Sequence, residues 1–414
     1  MTTIEIPLDL PDVTILAIDT SDPETIRLTV ASTIVCTRCR RCGRWITQYH
    51  GTDRQIELRH LSILGRKTLI RVCPVRYRCG DCHRRPTTTQ RLPWYTQRGG
   101  HTHAYDVSLV QQVINSTVED VSCREDIGYE AVMGALRRRV AIEVDWEDID
   151  RLEVLGVDEI SLKKGQKDFV TIVTGQCHGR VHLLAVLKDR KKATVKAFFR
   201  KVPRRLHQHL VGVCTDLYEG FVKAAGEVFG INKVVADRFH VAKLYRKVLE
   251  QIRKQEMRRL KETLPQEEYA TLKGVMWALR KTPQALTHKE YQALHQLFRH
   301  APVVQTVYDL CQELTDIFDN RALSVLEARQ EITTWIERVR HTGVRAFRTF
   351  FTTLNAHWKE VTNYFSHRHN SGFVEGLNNK INVIKRRCYG ILNRQHLFQR
   401  ISLDLAGYGG NTGK

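Results

Sequence analysis

No run of about 18 consecutive apolar residues occurs in the chain, so a membrane-spanning helix is excluded. The first residues, MTTIEIPLDLPDVTILAIDTSDPE, are acidic and lack the basic start of a secretory signal. There is no GxxxxGK(S/T) phosphate loop, which argues against ATP-driven chemistry and a nucleotide cofactor. A convincing Ser-His-Asp or Cys-His arrangement is missing too. Acidic side chains are the scarce charge. Asp and Glu number 45 against 65 Lys and Arg, a formal net of +20. Such an excess favours a polyanion, most often nucleic acid, over an acidic protein partner or a plain metabolic role.

What is present fits a folded protein. Apolar residues at 42% and charged residues at 27% are globular values, excluding wholesale disorder and a collagen-like fibre. The 414 residues correspond to two or three domains at about 150 residues each. The charge is uneven along the chain. Residues 1–35 form an acidic segment of net −5, residues 36–100 carry +12, and residues from Arg368 onward carry +6. All but one of the fifteen basic residues in 36–100 are arginine, which meets phosphate and guanine with planar, bidentate contacts. Two separate basic clusters point to double-stranded DNA.

The eleven cysteines are odd in number, and six fall between residues 36 and 82, which reads as metal ligation in a reducing compartment. Cys39-Arg40-Arg41-Cys42 and Cys79-Gly80-Asp81-Cys82 are two CxxC knuckles, together enough thiolates for one tetrahedral zinc. Cys36 and Cys73 are alternative ligands, since Cys36-Thr37-Arg38-Cys39 is also a CxxC, and His83 is a weaker candidate. Between the knuckles, QIELRHL and KTLIRV alternate as hairpin strands around Leu64-Gly65. This is a zinc-ribbon layout for a DNA-recognition module over 36–100, with Arg38, Arg40, Arg41 and Arg44 as contacts. Residues 101–148 read as helix-turn-helix-like, with Tyr129–Val140 as recognition helix and Arg137, Arg138 and Arg139 at its far end. An ordinary helical hairpin is the competing interpretation.

From Leu152 the pattern changes. EVLGVDEISL, DFVTIVTG and RVHLLAVL are β-rich, TVKAFFRKV is helical, LVGVCTD a strand, YEGFVKAAGEVF a helix and KVVAD a strand. The order βββαβαβ is the RNase H-like arrangement, placed at 149–242. Asp158 inside the first strand and Asp216 at the end of the fourth are carboxylates that need a partner or a metal. Asp237, beside Arg238, is a third candidate that also reads as a helix cap. Residues 243–365 have helical periods only, an all-α insertion in which Trp277 and Trp335 read as core aromatics. Within the last segment, 366–414, Val374, Leu377, Ile381, Ile384 and Cys388 form one apolar helix face. Turned from it are Glu375, Asn379, Asn382 and Arg386, near Lys385 and Arg387. Gly376 within this helix suggests a close approach.

These residues resemble the ISL3 group of bacterial insertion-sequence transposases. The likeness runs from about residue 36 to residue 402 and is carried by CxxCG…CxxC, GVDEIS, TDLYEGF, ADRFHV and above all SGFVEGLNNKINVIKRRCYGILN. It implies an RNase H-like core with an Asp-Asp-Glu triad, matched here by Asp158, Asp216 and Glu375, and makes Asp237 the landmark of the DRFH segment. The extra Cys36, and Asn382 where the group has lysine, are departures. Three carboxylates can hold two Mg²⁺ (or Mn²⁺) ions for water or 3′-hydroxyl attack on phosphodiesters. The expectation is an α/β RNase H-like transposase that cuts and joins DNA, with structural Zn²⁺, acting as a homodimer on DNA. Its expected location is the bacterial cytoplasm and, when bound to DNA, the nucleoid. The competing readings are a non-catalytic DNA-binding regulator and a nuclease without strand transfer.

Overall fold

The computed structural model describes residues 6–162, 169–368, 372–388 and 390–409, leaving aside the side chains of residues 367, 372–375, 378 and 409. The chain divides into two compact units: residues 1–142 joined by 399–414, and Glu143–Phe398. This is a coarser division than the six segments read from sequence.

The first unit begins with β1 (Val13–Asp19) and β2 (Thr25–Ser32), followed by β3 (Thr37–Arg38), β4 (Trp45–Ile46) and β5 (Gln48–Thr52). Next come β6 (Ile56–Ile63), β7 (Arg66–Val72), β8 (Val75–Arg78) and β9 (Thr87–Thr89). One sheet runs β1-β2-β7-β6, with β2 and β7 parallel. Alternate residues Ile26, Leu28 and Val30 of β2 are buried with Leu58, Ile70 and Val72, the period of two that packs one sheet face. Leu64 at φ +49° and Gly65 at φ +78° close the β6–β7 hairpin in the doubly left-handed turn that suits strand twist.

This arrangement differs from the expected zinc ribbon. The hairpin between the knuckles pairs with β2, so the acidic N-terminal segment is part of its sheet. The knuckles are framed instead by the β3–β4 pair and by a sheet of order β5-β8-β9.

Three helices complete the unit: α1 (His103–Val113), α2 (Val118–Glu125) and α3 (Tyr129–Arg139). Thr117 and Asp120 form a reciprocal capping box at the start of α2. Asp126, in the left-handed conformation, ends α2 and turns the chain towards α3. Leu109, Val113, Val121, Val132 and Leu136 fill the space between the three helices.

The second unit contains β10 (Val154–Ser161), β11 (Phe169–Cys177), β12 (Arg180–Leu187), α4 (Lys192–Phe199) and α5 (Arg204–His207). After these come β13 (Gly212–Thr215), α6 (Glu219–Phe229) and β14 (Val234–Ala236). The sheet order is β12-β11-β10-β13-β14, antiparallel among the first three and parallel from β10 through β13 to β14. β13 and β14 are buried throughout, which explains their short, continuously apolar sequences.

The helices α7 (Arg238–Thr263), α8 (Gln266–Thr271), α9 (Val275–Ala278) and α10 (His288–His300) follow. They are succeeded by α11 (Pro302–Asp319), α12 (Val325–His341), α13 (Arg348–Ala356) and α14 (Trp358–His367). Among the described residues this stretch contains no strand. Trp335 is buried in its core, donating its indole N–H to the Leu310 carbonyl at 2.8 Å. Trp277 is not a core residue: it is 59% exposed with Arg280 stacked over its ring. The one-turn helix α9 buries only Val275 and Ala278, so Trp277 faces outward.

The chain ends in α15 (Gly372–Arg387) and α16 (Arg394–Ala406). Leu377, Ile381 and Ile384 bury the apolar face of α15. Among the described residues a Cβ at Gly376 would meet nothing within 4 Å, so no close approach to it is found there. From Gln399 onward, α16 belongs to the first unit. Gln399 donates to the carbonyls of Leu136 and Val140, and Arg400 to those of Val113 and Ser116. No helix of the described residues is long and apolar enough to cross a membrane.

Candidate active site and metal centre

The register of the parallel strands builds the carboxylate site. Val157 of β10 pairs with Thr215 of β13, and Thr215 pairs with Ala236 of β14. The next residue on each path is an aspartate: Asp158, Asp216 and Asp237. The aspartates therefore lie in one row across three adjacent parallel strands: Asp216 and Asp237 just past the ends of β13 and β14, where open α/β sheets gather functional groups, and Asp158 within β10, which runs on to Ser161.

Each aspartate is oriented by its own backbone. Asp158 accepts the Glu159 N–H at 2.7 Å, Asp216 the Tyr218 N–H at 3.0 Å and Asp237 the Phe239 N–H at 2.9 Å. Asp237 is the N-cap of α7 and is buried. Arg238 does not neutralise it, because its guanidinium pairs with Asp319.

The Asp216 carboxyl is pushed above the ordinary aspartate range. Burial is the main cause, and the negative charges of Asp158 and Glu159 push the same way against the Tyr218 N–H and His240. Such a site holds excess negative charge that a divalent cation would relieve, and its donors are the oxygens that magnesium prefers. Among the described residues no three carboxylates close to ligand distance here, and four cysteine thiols of the first unit are the one group that does. Glu375, the third expected carboxylate, lies in α15, with its side chain outside the described residues.

Sequence reasoning missed several neighbours. Glu159 pairs with Arg190 at 3.1 Å, and the Arg190 guanidinium stacks 5.0 Å from the Tyr218 ring centroid. His240 presents a buried Nδ1 that has no hydrogen-bond partner among the described residues and lies 4.0 Å from the Asp237 carboxylate. A signal existed for two of them, since Glu159 and His240 belong to the GVDEIS and ADRFHV segments. Helix α15 reaches β10 through Lys385, whose ammonium bonds the Ser161 carbonyl and whose pKa is lowered by burial. Asn379 and Arg386 are exposed and Arg387 is half-buried.

The thiols of Cys39, Cys42, Cys79 and Cys82 all lie within 4.8 Å of one another. Cys39 and Cys82 are 3.9 Å apart, and Cys42 and Cys79 are 3.8 Å apart. A tetrahedral zinc with bonds of about 2.3 Å separates its sulfurs by about 3.8 Å, so the four thiols fit that ion. Backbone N–H groups of Cys42 and Arg41 hold the Cys39 thiol down to about 6, whereas hydrogen bonding to Cys42 and burial push Cys82 up to about 12. Cys36, Cys73 and His83 are not members of the cluster.

The expected arginine contacts separate into distinct environments. Arg38 stacks on Trp45, Arg41 bonds the His83 carbonyl at 3.4 Å, and Arg44 pairs with Asp81. Arg137 pairs with exposed Glu130, and Arg138 is engaged by buried Asp106. Two Arg139 nitrogens are buried with no hydrogen-bond partner among the described residues. In the C-terminal basic cluster, Arg368 bonds the carbonyls of Phe318, Asn320 and Leu323, and Arg400 is wholly buried.

A mixed sheet with three aspartates in register on its parallel strands makes this an α/β protein with an acidic candidate site. A family model described as "Transposase", covering DDE enzymes of the ISL3 group, matches residues 155–401, and the chain belongs to that family of DNA transposases. It is similar to the transposase for insertion sequence element IS1001 of Bordetella parapertussis, 26% identical over 89% of each chain. It is also similar to the transposase for IS1557 of Mycobacterium tuberculosis, 25% identical over 90% of this chain and 87% of that one.

Proposed function

We propose that Asp158, Asp216 and Glu375 are the catalytic triad with which this transposase cleaves and rejoins the ends of its insertion sequence. The reading rests above all on Asp158 and Asp216, which follow directly paired residues on neighbouring parallel strands, with Asp216 raised by its burial and by the charge beside it. The strand order and the helical stretch from α7 to α14 support an RNase H-like core with an all-α insertion. The triad would hold divalent cations, Mg²⁺ or Mn²⁺, two per site. When bound, they supply Lewis-acid stabilisation of the leaving oxygen and activation of water or a DNA 3′-hydroxyl. The chain's own part is preorganisation: the Glu159 and Tyr218 N–H groups fix two carboxylates before DNA arrives. Arg190 and its partner Glu159 keep the neighbouring charge balanced.

Cys39, Cys42, Cys79 and Cys82 hold structural zinc in this reading, leaving no open coordination position for catalysis. Joining two ends together calls for two catalytic units, hence a homodimer on DNA. The test is cleavage of duplex DNA carrying the sequences that flank the gene. Asp158→Asn, Asp216→Asn and Glu375→Gln should each bind that DNA as the unaltered protein does and abolish Mg²⁺-dependent cleavage. Normal cleavage by any of the three removes that residue from the triad.

A further inference from the structure

A second charged feature lies in the first unit, apart from the carboxylates. A cleft of about 400 Å³ is lined by Arg40, Arg54, Arg91 and Arg98, with Asp53 as its one acidic residue. The arginines come from three segments: the first cysteine knuckle, the β5–β6 turn and the chain after β9. Like charges brought to one concave wall repel, so such an arrangement is stable only with a counter-charge nearby. Asp53 supplies one negative charge against four positive ones, and that charge acts on Arg76 and Arg54. Its carboxylate accepts the Thr89 hydroxyl at 2.8 Å and the Arg54 backbone N–H at 2.9 Å, which hold its pKa below the ordinary range.

Other arginines of this unit have been given partners. Arg27 pairs with Asp22, Arg44 with Asp81 and Arg71 with Glu57, and Arg66 bonds backbone carbonyls. Among the described residues, no ion pair holds Arg40, Arg91 or Arg98, and all four cleft arginines are exposed. Arg98 also adopts φ +65°, a conformation that favours glycine or asparagine. Arg40 is anchored from behind, its backbone N–H donating to Thr88 at 3.1 Å, and it sits between two of the clustered thiols.

We propose that this cleft is a DNA-backbone clamp, in which the four guanidinium groups receive successive phosphodiesters of one duplex. The identity of the polyanion rests on the transposase reading; the location of the clamp rests on the cleft. Guanidinium forks bind phosphate oxygens bidentately, and such contacts set position without reading sequence. The clamp therefore acts on any duplex, independently of the element's end sequence.

The test uses the full chain, a fluorescein-labelled mixed-sequence DNA duplex and anisotropy titrations over a range of salt. The triple variant Arg54→Ala/Arg91→Ala/Arg98→Ala leaves the cysteine knuckle intact. Its log-affinity against log-salt line should be less steep by about 0.9 for each phosphate it no longer neutralises, roughly 1.8 to 2.7 in all. Lysine at the same three positions should restore most of the slope. The charge-matched variant Arg27→Ala/Lys67→Ala/Arg71→Ala, which removes three basic residues paired with Asp22, Asp126 and Glu57, should leave the slope near that of the unaltered chain. Circular dichroism melts of both variants check that folding is retained. Duplex binding with an unchanged slope in the first variant, or an equal flattening in the second, overturns the clamp alone. Absence of duplex binding by the unaltered chain would overturn the DNA-binding premise, and the clamp with it.

Discussion

The Arg138 guanidinium grips the Asp106 carboxylate through two hydrogen bonds, Nε to Oδ2 at 2.8 Å and Nη2 to Oδ1 at 2.7 Å. Asp106 is 1% exposed and also meets His101 Nδ1 at 3.1 Å. The pair ties α3 to α1. Burial alone would raise the Asp106 pKa, but the hydrogen bonds from His101 and Arg138 overcome it and hold the group at about 2.

Removing one partner of a fully buried pair costs about 3–5 kcal/mol; Arg138 is itself partly exposed and His101 still bonds Asp106, so the low end of that range or less applies here. Arg138→Ala should therefore destabilise the first unit by that smaller amount in urea melts. Any loss of DNA affinity should follow the unfolding. Because the Asp106 pKa is depressed in the fold, its contribution is present above the unfolded value near 3.8 and disappears as pH falls through about 2. The acid limb of the stability curve should show this loss in the unaltered protein and lack it in Asp106→Asn.

Arg400 makes a related prediction at the other end of the chain. Its guanidinium is fully buried, lies 3.6 Å from Asp404 and donates to the Val113 and Ser116 carbonyls at the end of α1. Arg400→Ala exposes those carbonyls to an unfilled space and removes one partner of Asp404, which still accepts the Asn115 N–H. The expected loss is about 3–5 kcal/mol, read by urea melts, with hydrogen exchange accelerating first in α1 and α3.

The cysteine cluster yields a metal prediction. Purified protein should contain one zinc per chain, lost in Cys39→Ser and Cys79→Ser and kept in Cys36→Ser and Cys73→Ser, as elemental analysis would show. The ligands bind as thiolates, so protons compete with the metal. Zinc content should therefore fall as the pH is lowered, because all four thiols must lose their protons to bind. Retention of zinc in Cys39→Ser with loss in Cys36→Ser would reassign the first knuckle.

Local pattern carried much of this fold into view. Short, wholly apolar runs marked β13 and β14 because both faces of those strands are covered, and the carboxylates Asp158 and Asp216 stood out against them. The CxxC spacing signalled a thiol cluster because two residues between thiols are what a single knuckle needs. Long-range partners were invisible. Nothing local distinguishes Arg138, paired across two helices, from Arg137 one residue earlier, and nothing marks Arg400 as buried among surface arginines. The acidic start of the chain looked separate because its pairing partner, β7, lies some forty residues on. Trp277 looked like core because an indole is apolar, yet the one-turn helix that carries it has only two residues facing inward.

The raised pKa of Asp216 makes the last prediction, and it runs against the usual effect of losing a carboxylate. The group is favoured in the fold while protonated, so that contribution is present below the unfolded value near 3.8 and is lost as pH rises through the higher folded one. At neutral pH, without metal, the ionised carboxyl opposes folding through its burial and the charges of Asp158 and Glu159. Metal-free Asp216→Asn should therefore melt a few degrees above the unaltered protein at pH 7, and the difference should shrink at about pH 3. Adding Mg²⁺ should raise the melting temperature of the unaltered protein, because a ligand bound only by the native state stabilises it, and should do little for the variant. Cleavage should be lost in the same variant. A variant that melts lower without metal, in a protein whose melting ignores Mg²⁺, would make Asp216 a structural carboxylate and move the catalytic centre elsewhere.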